Sequence, residues 1–427
     1  MRSSLTNRLL VLPTELLDII LSFVDSSSLA CLSRVCRTLQ LLVEPHLYHT
    51  VSLRNNHGDS ISSAIERIPA RAEFVRELRI HYHDVADETD APVQLETLSP
   101  TIAQLYNLES LLIKGVNDGG PMSLGLYRYM EQSKKFEDLL LEATMPDSQV
   151  LRSLRTCTIN LSEQGSWELA QLDALFLLPT LQRLTIANAR MACFTSFSSA
   201  EPRSTDLREL TLITCDIRPS HLRDILSMPK ALEHFTTKGS AWRARSVSGD
   251  DRASNLDALR MHASSLVTLD LDLFLDDDRP PIQPLAFIDF VALRRLAIEL
   301  WIIRGHIEQG ILPQKALLPR GLEELTLKCA VQHVDLESYY LEPIYRWLQE
   351  GALPELKKIV LETTTPIPNV PKAMFRGGHT VGRAFAAVGV DLTMMEEAPG
   401  GYVPFECDCC WYRYRNPGWR LAYTNFY

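Results

Sequence analysis

A chain of 427 residues, 46% of them hydrophobic, has enough apolar material to bury more than one core, which excludes disorder as its dominant state. Lysines and arginines number 43 against 53 aspartates and glutamates, and the net charge of -10 argues against a nucleic-acid backbone as partner. Nine cysteines, an odd number without a regular framework, point to a reducing intracellular setting, cytoplasmic and/or nuclear; no stretch approaches the roughly 18 uninterrupted apolar residues of a membrane span.

The apolar stretch from Leu9 to Leu12 is cut short by Pro13, Glu15 and Asp18, too early for a signal peptide. Residues 12 to 24, LPTELLDIILSFV, place Leu16, Ile19, Ile20 and Phe23 at helical spacing after a Pro-Thr start. A Ser-rich break from Asp25 to Ser28 supplies capping residues, and Leu29, Leu32 and Val35 begin a second helical pattern. A third runs from Leu39 to Val43 and is expected to stop before Pro45, because proline cannot donate to a helix interior. Three such short helices bury little on their own, and a unit of this size needs a partner or a neighbouring domain to cover its apolar faces.

These residues resemble the F-box family, in which a leading Leu-Pro, an acidic residue two positions after the proline, and a later Val-Cys-Arg followed by Leu-Tyr recur. Here they stand as Leu12-Pro13, Glu15, Leu16, Ile19, Val35-Cys36-Arg37, Pro45 and Leu47-Tyr48, with Leu39 where many members carry tryptophan. The resemblance implies docking onto a Skp-type adaptor and, through it, a cullin-RING ubiquitin ligase. The residues expected to contact the adaptor are Leu12, Pro13, Glu15, Leu16, Ile19, Ile20, Leu29, Leu32, Val35 and Cys36. The other reading of the same helices is a cap on the first repeat of a solenoid. The two differ in which apolar residues stay exposed: Leu12, Pro13, Leu16, Ile20 and Leu32 in the open favour docking.

Beyond residue 70 the pattern apolar-x-x-apolar-x-apolar recurs. The clear copies begin at Leu108, Leu181, Leu207, Leu266, Leu293, Leu322 and Leu356; weaker ones are VRELRI ending at Ile80, FEDLLL at Phe136, LRTCTI at Leu154 and LEHFTT at Leu232. Most successive copies are 25 to 34 residues apart, at or just above the period of leucine-rich repeats. Alternate apolar positions on a short strand point inward together. Between strands a helical or irregular return is expected, as in Asp216 to Met228, where Leu222, Ile225 and Leu226 form a stripe. The short interval between the Phe136 and Leu154 copies implies that one of that pair is a helix. The repeats resemble the leucine-rich-repeat family, and the expected fold is α/β: an F-box helical domain at 9–50, an irregular leucine-rich-repeat solenoid at 51–400 with a parallel sheet on its concave face, and an aromatic, Cys-rich C-terminal cap at 401–427.

A parallel sheet aligns the outward residues of successive copies in rows, the search area for a target protein: Arg183; Arg208 and Glu209; Asp270; Arg294 and Arg295; Glu323; and Lys357. The sign alternates from repeat to repeat, which suits a protein of mixed charge. The plainer account is that opposite charges on neighbouring strands pair with each other. Insertions at Trp242 to Ser254 and Asp276 to Pro284 read as surface loops.

No Walker loop, dinucleotide glycine motif, zinc-protease helix or nucleophile elbow occurs in the sequence. Cys407, Cys409 and Cys410, with His379 as a fourth donor, lack the paired spacing of a structural zinc site. Neither a metal nor another cofactor is expected, and the chain reads as a binding protein without a catalytic centre. The alternative to a ligase subunit is a repeat scaffold or inhibitor that never enters a ligase.

Overall fold

The computed structural model describes residues 12–54, 58–81, 95–114, 134–160, 172–187, 189–191, 201–217, 219–238, 257–271, 287–300, 318–329, 341–363 and 380–396. Both predicted insertions, the 401–427 segment and the Cys407, Cys409, Cys410 and His379 group lie outside them. The chain divides into two compact units, Met1–Val116 with Leu124–Ile159, and Asn117–Ser123 with Asn160–Tyr427. The first unit holds the N-terminal helices together with the first three strands and all but the last residue of the fourth.

The first unit opens with three helices, α1 (Thr14–Ser22), α2 (Ser26–Leu32) and α3 (Arg37–His49). It continues through β1 (Thr50–Arg54), α4 (Gly58–Arg67), a 3-10 turn at Pro69–Phe74, β2 (Glu77–His81), α5 (Leu95–Ala103), β3 (Ser110–Lys114), α6 (Lys134–Ala143) and β4 (Thr156–Asn160). The strands lie in chain order and run parallel, with Thr50 beside Glu77 and Glu77 beside Ser110. The helical elements pack in sequence as well, α3 on the 3-10 turn, the turn on α4, α4 on α5 and α5 on α6.

The second unit repeats the scheme with β5 (Arg183–Ala187), a two-residue β6 (Arg190–Met191), β7 (Glu209–Ile213) and β8 (Asp216–Ile217), the last pairing with β6. Then follow α7 (Pro219–Ser227), β9 (His234–Lys238), β10 (Thr268–Asp270), β11 (Arg295–Glu299), β12 (Glu324–Cys329), α8 (Glu342–Gln349), β13 (Lys358–Thr363), α9 (Val381–Ala387) and β14 (Asp391–Glu396). Its main sheet runs β5-β7-β9-β10-β11-β12-β13-β14, and the registered pairs are parallel throughout.

The recurring apolar pattern explains the core of both units. The leading residue of each copy, from Leu108 and Leu154 to Leu322 and Leu356, is buried, and so are the two alternate strand residues, such as Leu184 and Ile186, Leu210 and Leu212, Leu296 and Ile298, Leu325 and Leu327. Stacked strands thus build three apolar columns. Register is set just before most strands, where one backbone carbonyl accepts two N–H groups from the next copy. Gln182 O receives Arg208 and Glu209, Arg208 O receives Glu233 and His234, and Arg294 O receives Glu323 and Glu324, all at 2.8 to 3.0 Å.

Helix α3 and strands β1 and β14 depart from expectation, whereas the short interval between the Phe136 and Leu154 copies resolves as expected, with one of the pair a helix. FEDLLL at Phe136 is helical: Phe136, Leu139, Leu140 and Ala143 are the buried residues of α6, spaced by three and four, which is a helix stripe and not a strand alternation; LRTCTI supplies β4. The third helix does not stop before Pro45 but runs to His49. Losing one intrahelical bond to proline costs about 3 kcal/mol, and the contacts of Val43, Glu44 and Leu47 on either side of Pro45 outweigh it. Strands β1 and β14 were not expected, because Tyr48 and Gly389 stand where each copy should have its leading apolar residue. Gly389, at φ 79°, ends α9 in a left-handed conformation that favours glycine, and Val390 N–H then bonds Phe385 O at 3.0 Å. As expected, Leu222, Ile225 and Leu226 form the buried stripe of α7.

His262 is a satisfied core histidine. Leu232 N–H donates to its Nδ1 at 3.3 Å, so Nε2 carries the proton and donates to Leu226 O at 2.7 Å. Burial, aided by the Arg203 charge, holds its pKa below the ordinary value of 6.5, against the opposing effect of the Leu226 bond. Stability tied to this ring is therefore complete above that value and declines as pH falls below it. Replacing it, His262→Leu, strands two buried backbone groups and should cost roughly 2–4 kcal/mol, read as a lower urea midpoint at pH 7.5. The loss of midpoint between pH 7 and 5.5 should be smaller in the variant than in the unsubstituted chain.

Candidate functional site

Helix α1 is apolar on two faces. Leu17 and Leu21 turn inward, while Leu16, Ile19, Ile20 and Phe23 are 47, 56, 43 and 85% exposed. Leu21 forms a small core with Leu29 and Val43, and Val24, Leu32, Leu42 and Leu47 pack against it. A helix of nine residues cannot bury both stripes in a unit this small, so its second apolar face is left in water. Leu12, Val35 and Leu41 are exposed as well. Half of the large hydrophobics exposed among the described residues, seven of 14, fall between residues 12 and 41. That density marks an interaction surface rather than the scatter of any protein exterior.

Polar contacts hold the three helices in place beneath this surface. Asp25 caps α2 by accepting the N–H groups of Ser27 and Ser28, both at 3.0 Å, and their hydroxyls at 2.5 and 2.7 Å. The serine hydroxyls first, and then the backbone donors, hold its carboxyl far below the usual carboxylate range. His46 Nε2 meets Asp18 Oδ1 at 2.8 Å, tying α3 to α1.

The residues singled out by sequence separate into two groups. Leu12, Pro13, Glu15, Leu16, Ile19, Ile20 and Val35 are exposed, and Leu32 and Cys36 are half-buried. Leu29 is buried at 4% exposure and belongs to the internal core, because the helix turn that carries it faces Leu21 and Val43. Phe23 and Leu41 were missing from the expected contact residues. Phe23 continues the stripe from Leu16 by seven positions, so helical spacing identifies it; Leu41 lies between buried Leu39 and Val43.

On the sheet of the second unit, the plainer reading of the charge rows accounts for most of them. Arg208 pairs with Glu233 at 3.1 Å, Asp270 with Lys328, and Glu323 with Lys357 at 2.9 Å. Arg294 donates to Gly321 O at 3.0 Å and stands 3.9 Å from Glu323. The hydrogen bond and charge of Lys357, with the more distant charges of Arg294 and Arg295, hold the Glu323 carboxyl below its ordinary range. These are rungs between neighbouring strands, apart from Asp270 to Lys328, which crosses over β11 at Ala297. Arg183, Glu209 and Arg295 stand exposed at the starts of their strands.

Among the described residues there is no group of three or more His, Cys, Asp or Glu placed to hold a metal, and no helix long and apolar enough to cross a membrane. Cys157 is buried, and its thiol is pushed up to about 12 by burial.

In a comparison with protein families, the family model described as F-box-like matches residues 9–54, which contain α1, α2, α3 and β1. The chain thus carries an F-box-like domain at its N-terminal end. A comparison with curated proteins finds no match.

If the exposed face of α1 is kept for a partner, substitutions there should leave folding intact. Phe23→Ser is expected to shift stability by less than about 0.5 kcal/mol, whereas Leu21→Ala in the small core should cost about 2–4 kcal/mol. Urea unfolding of the two variants side by side checks the contrast.

Proposed function

We propose that this protein is the substrate-recognition subunit of a Skp-cullin-F-box ubiquitin ligase. The observation that carries the proposal is the exposed Leu16, Ile19, Ile20 and Phe23 stripe lying within the F-box-like match. F-box domains typically dock on Skp-type adaptors, and an unpartnered helical stripe is the physical form such docking takes. The parallel strands beyond it carry recurring apolar columns, which supports reading them as leucine-rich repeats whose outward rows are the surface for a target protein. Arg183, Glu209 and Arg295 are the first residues to test there, being exposed at strand starts.

The protein has no catalytic centre of its own in this reading. Holding the target and the ligase's catalytic subunits on one scaffold turns a bimolecular encounter into an intramolecular one, and the rate gain comes from effective concentration. The setting is the cytoplasm and/or nucleus, where free thiols persist.

The test is affinity for a purified Skp-type adaptor. The full chain should bind, and a Leu16→Asp, Ile20→Asp double variant with unchanged circular dichroism should bind roughly 30-fold or more weakly, the equivalent of about 2 kcal/mol. A folded chain that does not bind the adaptor overturns the proposal and leaves a repeat scaffold or inhibitor outside any ligase.

A further inference from the structure

The described residues of the first unit hold a buried ion pair between the F-box-like helices and the segment that leads into β2. Arg71, in the 3-10 turn, reaches back 27 residues to α3, and its Nη2 donates to Glu44 Oε1 at 2.6 Å. Both side chains are largely buried, at 14 and 9% exposure. Gln40 Nε2 donates to the same carboxylate oxygen at 2.9 Å, Arg71 Nη1 donates to Ala64 O in α4 at 3.3 Å, and the guanidinium lies 5.1 Å from the centroid of the Tyr48 ring. Burial alone would raise the Glu44 pKa, but the bonds from Arg71 and Gln40 and the guanidinium charge outweigh it and hold the carboxyl below its ordinary value.

One guanidinium therefore ties three elements: α3, α4 and the turn. A plain apolar contact between helices could slide, because dispersion has no preferred direction. A planar fork held by a carboxylate, a carbonyl and a ring face cannot, since each contact fixes a different axis. Backbone continuity adds to this, because α3 passes directly into β1 at Thr50 and Arg76 N–H bonds His49 O at 3.0 Å.

The geometry points to Arg71 and Glu44 as positioning residues that make the F-box-like helices and the first strands one rigid body. This rests on the docking role proposed above: an adaptor held on α1 is then presented to the strands at one fixed angle. The pair sets that angle and contributes nothing to the docking face itself, because neither side chain is exposed.

The experiment measures the distance distribution between labels incorporated bioorthogonally at Ser22 of α1 and Ser52 of β1, in the full chain with and without a purified Skp-type adaptor. The unsubstituted chain should give one narrow distribution in both conditions. Arg71→Met and Glu44→Gln should each broaden it at least twofold, with adaptor affinity changed by less than about threefold, and Arg71→Lys should restore part of the narrowness. If Arg71→Met does not fold, the near-isosteric Glu44→Gln decides alone. A distribution that stays narrow in folded Glu44→Gln overturns the inference, because a merely stabilising pair would lower the unfolding midpoint without widening the angle. Failure of the unsubstituted chain to bind the adaptor would instead sink the docking reading, and the distances would still report on the coupling.

Discussion

Helix Arg37–His49 is packed from two directions, and the organisation of the first unit follows from that. One side gives Val43 and Leu42 to the small core shared with the two preceding helices; the other meets the 3-10 turn through Glu44 and Arg71. A three-helix unit of this size would be marginal by itself. Fused through a shared helix to a parallel sheet, it can afford to leave a second apolar stripe in water. The proline within that helix survives for the same reason, since packing before and after it restrains the chain more strongly than one missing hydrogen bond loosens it.

Much of this was legible in the sequence, and where it was not the reason is physical. The apolar-x-x-apolar-x-apolar signal located ten strands, because a buried face with period two leaves a direct mark on composition. It missed β1 and β14, whose leading positions hold Tyr48 and Gly389, one at the end of a helix and the other at a left-handed turn. It gave a strand pattern at Phe136 where spacing by three and four fits a helix equally well, and only packing decides between them. In the candidate site, Leu16, Ile19 and Ile20 could be read from helical spacing, but spacing cannot tell an inward stripe from an outward one when a helix carries both. Leu29, on the next helix, was expected at the adaptor but lies in the internal core, because its burial depends on how that helix packs on Leu21 and Val43. Arg71 and Glu44 were invisible, because their meeting depends on how two elements 27 residues apart come together.

The charges on the strands of the second unit teach a related point. Alternating sign along a row of strands looks like a recognition code, yet pairing between neighbouring strands satisfies most of it. Even at the head of a strand the pairing holds, since Glu324 and Lys358, which begin neighbouring strands, meet at 3.1 Å.

The carbonyl that accepts two N–H groups ahead of most strands has a consequence for how such a chain changes over time. Because most copies start on a fixed atom of the one before, alignment is set afresh at those strands and errors do not accumulate from one to the next. Return segments can lengthen or shorten without displacing any inward residue from its column, and the uneven intervals of 25 to 34 residues are the visible record of that freedom. Material can therefore be added between strands at little structural cost, while a single residue inserted within a strand would turn its apolar side chains toward water.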